Sequence, residues 1–163
     1  MLFHYRMPRE PSTPRSSVWR KLRRLGVAQL SDGLVALPAD ARTREQLEWV
    51  AGEVREADGT AGVWLARPAS VAQERELATA MAQARAAEYE ALRVDATAAG
   101  GLSDDAERTR AARRLLGELH RIRRRDFFPP VERDAAVAAV EQLAAGIPDH
   151  RADRGATPAG RAS

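Results

Sequence analysis

The stretch VAQLSDGLVAL, residues 27–37, decides the fold of this 163-residue chain. Two short apolar segments, residues 27–30 and 34–37, flank Ser31-Asp32-Gly33. An Asp-Gly pair between two such segments is a strong hairpin signal, because both residues tolerate the positive φ that tight turns require. The stretch therefore predicts two antiparallel strands, and Pro38 ends the second of them.

An amphipathic helix is predicted on the N-terminal side of this hairpin, over residues 14–25. Thr13 is the expected N-cap, Pro14 fits the first helical position, and Gly26 supplies the C-terminal stop. One stripe of the helix is apolar and predicts the side that packs on the sheet, with Trp19 at its flank: Val18, Leu22 and Leu25.

A second helix and two further strands complete the pattern. The helix is predicted over residues 41–57, and its apolar stripe consists of Leu47, Val50, Ala51 and Val54. The first and the last strand along the chain are predicted over residues 2–7 and 60–66. The order strand, helix, strand, strand, helix, strand is that of an α+β ferredoxin-like βαββαβ domain, here residues 1–68, with an antiparallel sheet and both helices on one face.

After Pro68 the predicted elements are all helices. Helices are predicted over residues 71–97, from a Ser103 cap to the Phe127-Phe128-Pro129-Pro130 segment, and over residues 131–145. We expect residues 69–147 to form a helical extension of about three helices packed on the first domain. Residues 148–163 are polar and are expected to be disordered.

Composition excludes several classes of protein. There is no cysteine, which excludes disulfides and thiolate metal sites. No segment is apolar enough to suggest a membrane span or a signal peptide, so we expect a cytoplasmic protein without a membrane partner. His4, His120 and His150 lack metal-ligand spacing, and no Gly-rich phosphate loop, HExxH or GxSxG motif occurs. We therefore expect neither enzymatic activity nor a cofactor.

Arginine is clustered at two places along the chain. Arg20, Arg23 and Arg24 share one face of the first predicted helix, and no acidic residue lies between Thr13 and Ser31. The second cluster is HRIRRRDFFPP, residues 120–130. Guanidinium groups suit phosphates and other oxyanions. The predicted nucleic-acid or anion-binding residues are Arg15, Arg20, Lys21, Arg23, Arg24, Arg121, Arg124 and Arg125.

Both clusters also have a structural interpretation. The first can be an ordinary solvated helix face, although such faces usually alternate in charge. The second can decorate a helix C-terminus, where cations complement the dipole, while Phe127 and Phe128 pack into the core. The sequence leaves both alternatives open.

The three tryptophans separate into two groups. Trp19 and Trp64 are predicted to belong to the core. Trp49 lies roughly opposite Leu47 on its helix, which indicates a surface covered by the C-terminal helices or by a second copy. Of these two, the C-terminal helices are the preferred prediction.

Several stretches resemble one family. They are PSTPR (11–15), VWRKLRRLG (18–26), DG (32–33), EQLEW (45–49), GVWL (62–65), AEY (87–89) and RDFFP (125–129). Over about residues 2–145 the chain is similar to the N-terminal domain of the ChrB family of bacterial chromate resistance proteins. The domain also resembles the Cas2-like fold of phenylacetate-type repressors, which agrees with the predicted element order.

This resemblance implies a chromate-responsive regulatory protein whose candidate partners are promoter DNA and the chromate oxyanion. It also implies a homodimer, since Cas2-like domains commonly pair, and we expect a short first strand to expose hydrogen-bonding groups at a sheet edge. Family members usually carry a C-terminal domain, so sensing and output are expected to lie partly outside this chain.

Two other functions are kept open. One is a non-catalytic dimeric scaffold that acts with a separate C-terminal domain. The other is a vestigial nuclease. The nuclease is disfavoured because Cas2-type enzymes place an aspartate after the first strand, where this chain has Pro8-Arg9-Glu10-Pro11.

Overall fold

The structure is a computed structural model that describes residues 1–10 and 12–146. The strands are β1 (Leu2–Arg6), β2 (Ala28–Ser31), β3 (Leu34–Ala36) and β4 (Thr60–Trp64). The helices are α1 (Ser12–Leu25), α2 (Ala41–Glu56), α3 (Val71–Gly100), α4 (Asp105–Arg123) and α5 (Glu132–Ala145). The predicted βαββαβ order followed by helices is confirmed. The predicted tail, residues 148–163, lies outside the described residues.

The predicted hairpin is present. β2 and β3 pair antiparallel, Gln29 is the partner of Val35, and the turn residue Gly33 has φ of 72°. The register is irregular between Gln29 and Ser31, and this irregularity lies on the β2 side of the sheet.

The four strands form one sheet in the order β2-β3-β1-β4. β1 therefore lies inside the sheet, paired antiparallel with both β3 and β4. The expectation that β1 would expose an edge was wrong, because each side of the strand has a neighbour. The edges of the sheet are β2 and β4.

The core lies between the sheet and the first two helices. Phe3 and Val35 are register partners on one sheet face, and both are buried. The buried apolar residues of α1 and α2 belong to the same cluster and include the predicted Val18, Leu22 and Leu47. The two apolar stripes thus place both helices on one face, which leaves the opposite sides of the helices in solvent.

Two helix starts differ from the sequence prediction. α1 begins at Ser12, so Thr13 lies inside the first turn and not at the cap. Pro14 fits either start, because the first-turn N–H groups have no intrahelical acceptor. α4 begins after Asp104, whose Oδ1 accepts from the Ala106 and Glu107 amides at 2.7 and 3.3 Å, so a carboxylate replaces the predicted Ser103 cap.

The tryptophan predictions were correct for one residue and wrong for another. Trp19 is half-buried against the core cluster, as predicted. Trp64 is 62% exposed, because its register partner is Leu2 and it therefore lies on the sheet face opposite Phe3. Trp49 is 72% exposed, and what covers it stays a prediction.

The described chain divides into two compact units. The first contains Met1–Glu88 and Arg121–Val131, and it includes the sheet, α1 and α2. The second contains Tyr89–His120 and the described residues from Glu132 onward. Its buried residues are mostly alanine and leucine, for example Leu92, Ala112 and Leu115. The boundary at residue 68 stays a prediction.

None of the helices in the described residues is both long and apolar enough to cross a membrane.

Candidate anion-binding surface

The first arginine cluster occupies the solvent side of α1. Burial of Val18 and Leu22 fixes the rotation of the helix, and at about 100° per residue Arg20, Arg23 and Arg24 point away from the core. All three are exposed. Among the described residues, none of their side chains forms an ion pair or a hydrogen bond. Their charge is therefore balanced mainly by solvent ions, which a polyanion can replace.

Arg15 lies at the other end of α1. Its Nη2 donates to the Pro8 carbonyl at 2.7 Å, which ties the start of the helix to the end of β1. Burial raises the pKa of Tyr5, the Asp32 carboxylate adds to that rise, and Arg15 opposes it. Arg15 is thus already engaged at the hairpin end of the domain.

Lys21 contacts the neighbouring helix. Its Nζ donates to Oε1 of Glu53 on α2, and both side chains are about one-third exposed. This pair lies beside an open groove of about 340 Å³ between α1 and α2. The groove is lined by Lys21, Arg24, Leu25, Glu45, Gln46, Trp49, Val50 and Glu53. Lys21 therefore carries a partly neutralised charge, unlike the arginines beside it.

The second arginine cluster meets the first at the C-terminal end of α1. Nη1 of Arg125 donates to the Arg23 carbonyl at 3.4 Å, across 102 positions of sequence. Gly26 has no side chain at this contact, and a Cβ there would lie 2.9 Å from Cβ of Arg125. The main chain of the second cluster thus lies directly beside the end of the basic helix.

Arg125 is also held by an ion pair. Its Nη2 donates to Oε2 of Glu88 at 2.8 Å, while Nη2 of Arg85 donates to Oε1 of the same carboxylate at 3.0 Å. The Arg85 side chain is only 10% exposed, and that of Arg125 22%. Glu88 therefore bridges two guanidinium groups that have limited access to water.

Arg42 extends the basic surface from α2. It is exposed, and its Nη2 donates to the Arg124 carbonyl at 2.7 Å. Arg121 and Arg124 are exposed as well. Sequence reasoning missed Arg42 and Arg85, because each lies on a helix with mixed charges and becomes part of the surface only through tertiary contacts.

Within residues 1–10 and 12–146, no group of three histidine, aspartate or glutamate side chains could hold a metal ion. Of the two phenylalanines that were proposed to pack into the core, Phe127 contacts the core cluster, whereas Phe128 is 38% exposed.

Comparison with known proteins identifies the family of this chain. Residues 15–101, more than half of the chain, match the family described as Protein ChrB, N-terminal. The chain belongs to the ChrB N-terminal family. It is similar to Protein ChrB of Cupriavidus metallidurans, with 32% identity over 126 residues. That alignment covers 76% of this chain and 38% of the relative, so the chain spans well under half of the length of that protein. No solved structure matches this chain.

Proposed function

We propose that this chain is the DNA-binding module of a chromate-responsive regulatory protein, that it acts as a homodimer and that its role is non-enzymatic. Membership of the ChrB N-terminal family supports the chromate pathway. The main observation in support of DNA binding is the basic face of α1, where three exposed arginines have no partner among the described residues. Arg42, Arg121 and Arg124 are exposed around the same helix end and extend the surface.

Such a surface recognises phosphates and not base sequence. Clustered guanidinium groups neutralise backbone charge and release condensed counterions, which makes the affinity steeply dependent on salt. Arg15, Lys21 and Arg125 are secondary contacts in this proposal, because each already donates to a group of the protein.

The experiment measures affinity for a duplex against salt concentration. Replacing Arg20, Arg23 and Arg24 by glutamine is expected to weaken binding and to flatten the slope of log K against log salt by up to about 2.7, since each phosphate contact contributes about 0.9. The matched control replaces Arg67, Arg75 and Arg113, which are exposed elsewhere and carry the same total charge. If the slope of log K against log salt flattens equally in both variants, the effect is one of total charge and contradicts the proposal.

Chromate is proposed as the effector because a planar guanidinium group can bind an oxyanion in a bidentate geometry, through two parallel hydrogen bonds. The test is the affinity for promoter DNA at increasing chromate, with sulfate as the control anion of the same charge and shape. An equal response to both anions, or none to either, would contradict a chromate-specific role for this chain.

A scaffold is the second proposed function, and Trp49 favours it. An indole that is 72% exposed beside the groove between α1 and α2 is typical of a surface that binds another protein. A scaffold of this kind would show no duplex binding at any salt concentration. Replacing Trp49 by alanine would then weaken its binding to a separately expressed ChrB C-terminal domain and leave the fold intact.

A further inference from the structure

The two edges of the sheet differ in which backbone groups they present. The Tyr5 amide donates to the Gly33 carbonyl at 2.7 Å, so Tyr5 directs its hydrogen-bonding groups toward the hairpin and away from β4. Its register partner Ala61 must therefore direct its own N–H and C=O away from β1. The same alternation applies to Val63. β4 consequently presents two outward-facing residues along the sheet edge.

This edge lacks the features that usually prevent strands from pairing. β4 has five regular register pairs with β1, and its residues TAGVW carry neither charge nor proline. The β2 edge is four residues long and has an irregular register. Bulges, charges and short length are the usual means of blocking an edge, so β2 is protected and β4 is not.

One side chain occupies part of the β4 edge. Nη2 of the exposed Arg55 donates to the Ala61 carbonyl at 3.1 Å. A single arginine bond of this kind can exchange for a backbone bond at little cost, because the guanidinium returns to water. Among the described residues, no hydrogen bond reaches the outward N–H or C=O of Val63.

We propose that the β4 edge pairs antiparallel with β4 of a second copy, around a two-fold axis at Gly62. Ala61 then exchanges both backbone hydrogen bonds with Val63 of the second copy, and the symmetry repeats the exchange. The two Gly62 residues face each other as a non-hydrogen-bonded pair, with about 4.5 Å between their Cα atoms. The edge is self-complementary, which is why the occupant is a second copy and not an unrelated strand.

The exposed aromatic surface beside β4 fits this arrangement. The Trp64 indole lies over Gly62, since Nε1 is 3.0 Å from the position that a Gly62 Cβ would take. The two indoles would therefore converge near the proposed axis, where each loses contact with water. Trp64 and Leu65 are 62% and 76% exposed in the single chain. This inference deepens the homodimer of the proposed function by naming its interface.

Light scattering and sedimentation at micromolar concentration, without DNA, test the interface. The parent is expected to be a dimer. Trp64→Lys is expected to raise the dissociation constant of the dimer by at least about tenfold, because the substitution introduces charges at the edge. The control is Leu30→Lys on the β2 edge, which should remain dimeric. Thermal unfolding of both variants checks that Trp64→Lys is folded.

A cross-linking experiment gives a second, independent readout. The chain has no cysteine, so Gly62→Cys carries a single thiol at the proposed axis. Because the predicted Cα separation lies within the disulfide range, mild oxidation should link two chains rapidly, whereas Leu30→Cys should remain monomeric on a denaturing gel. A monomeric parent, or equal cross-linking of both variants, would overturn the interface. Since no DNA is present, either result leaves the DNA-binding proposal to its own test.

Discussion

The two arginine groups of this domain differ in how their charge is balanced. Arg20, Arg23 and Arg24 lie in solvent without a partner among the described residues. Arg85 and Arg125 are largely shielded from water and share the Glu88 carboxylate. A solvated charge costs little to maintain, whereas a shielded charge requires a counterion within the protein. The first group is therefore available to an external anion, and the second serves to hold the fold.

The largest effect is expected from Glu88→Gln. The substitution leaves two shielded guanidinium groups without their shared counterion, and we expect a loss of about 2 kcal/mol in the free energy of unfolding, between the values for exposed and buried pairs. The control is Glu90→Gln on the same helix. Glu90 pairs with Arg93 at 2.6 Å, but both side chains are over 40% exposed, so little change is expected. Equal losses in urea denaturation would remove the distinction between the two groups.

A smaller loss is expected from Arg125→Gln. The variant loses the bond to Glu88 and the weak bond to the Arg23 carbonyl, but Arg85 still compensates the Glu88 carboxylate. We expect about 1 kcal/mol by the same denaturation measurement. If this variant were less stable than Glu88→Gln, the packing of the Arg125 side chain would contribute more to stability than its charge does.

Lys21→Met sharpens the comparison, because Lys21 lies between the two groups in exposure. Its pair with Glu53 is about one-third exposed on both sides, so we expect a loss of about 0.5 kcal/mol or less. Glu53→Gln should give the same small value. A loss close to that of Glu88→Gln would place the contact between α1 and α2 among the structural ion pairs.

The smallest effect on stability is expected from the triple replacement of Arg20, Arg23 and Arg24 by glutamine. Exposed helix-face substitutions usually change the free energy of unfolding by less than about 0.5 kcal/mol each. The midpoint in urea should stay close to that of the parent while the salt dependence of DNA binding changes. A large drop in the midpoint would assign these arginines to the fold and not to a ligand.

Local signals were sufficient for most of the fold. The Asp-Gly turn and the apolar stripes led to the hairpin, to both helices of the ferredoxin-like domain and to the packing of Val18, Leu22 and Leu47, because each follows from periodicity over a few residues. The helix caps were less secure. Ser103 and Asp104 can both cap a helix, and a choice between adjacent residues depends on the exact path of the chain.

The basic face of α1 could be predicted for a similar reason. Once Val18 and Leu22 face the core, helical geometry leaves Arg20, Arg23 and Arg24 in solvent. Trp64 shows the limit of this approach. Its strand carries no polar side chain after Thr60, so the sequence does not indicate which side faces the helices, and only the register with Leu2 and Phe3 decides it.

The sequence by itself determined the element order, the buried stripes and the charge of α1, since all of these depend on neighbours within one or two turns. Only the tertiary structure decided that Arg125 meets Arg23, that Glu88 joins Arg85 to Arg125, and that β4 is an unprotected edge. These features arise where segments up to about one hundred residues apart come into contact. No local pattern encodes such a contact, because it depends on how the whole chain closes around its core.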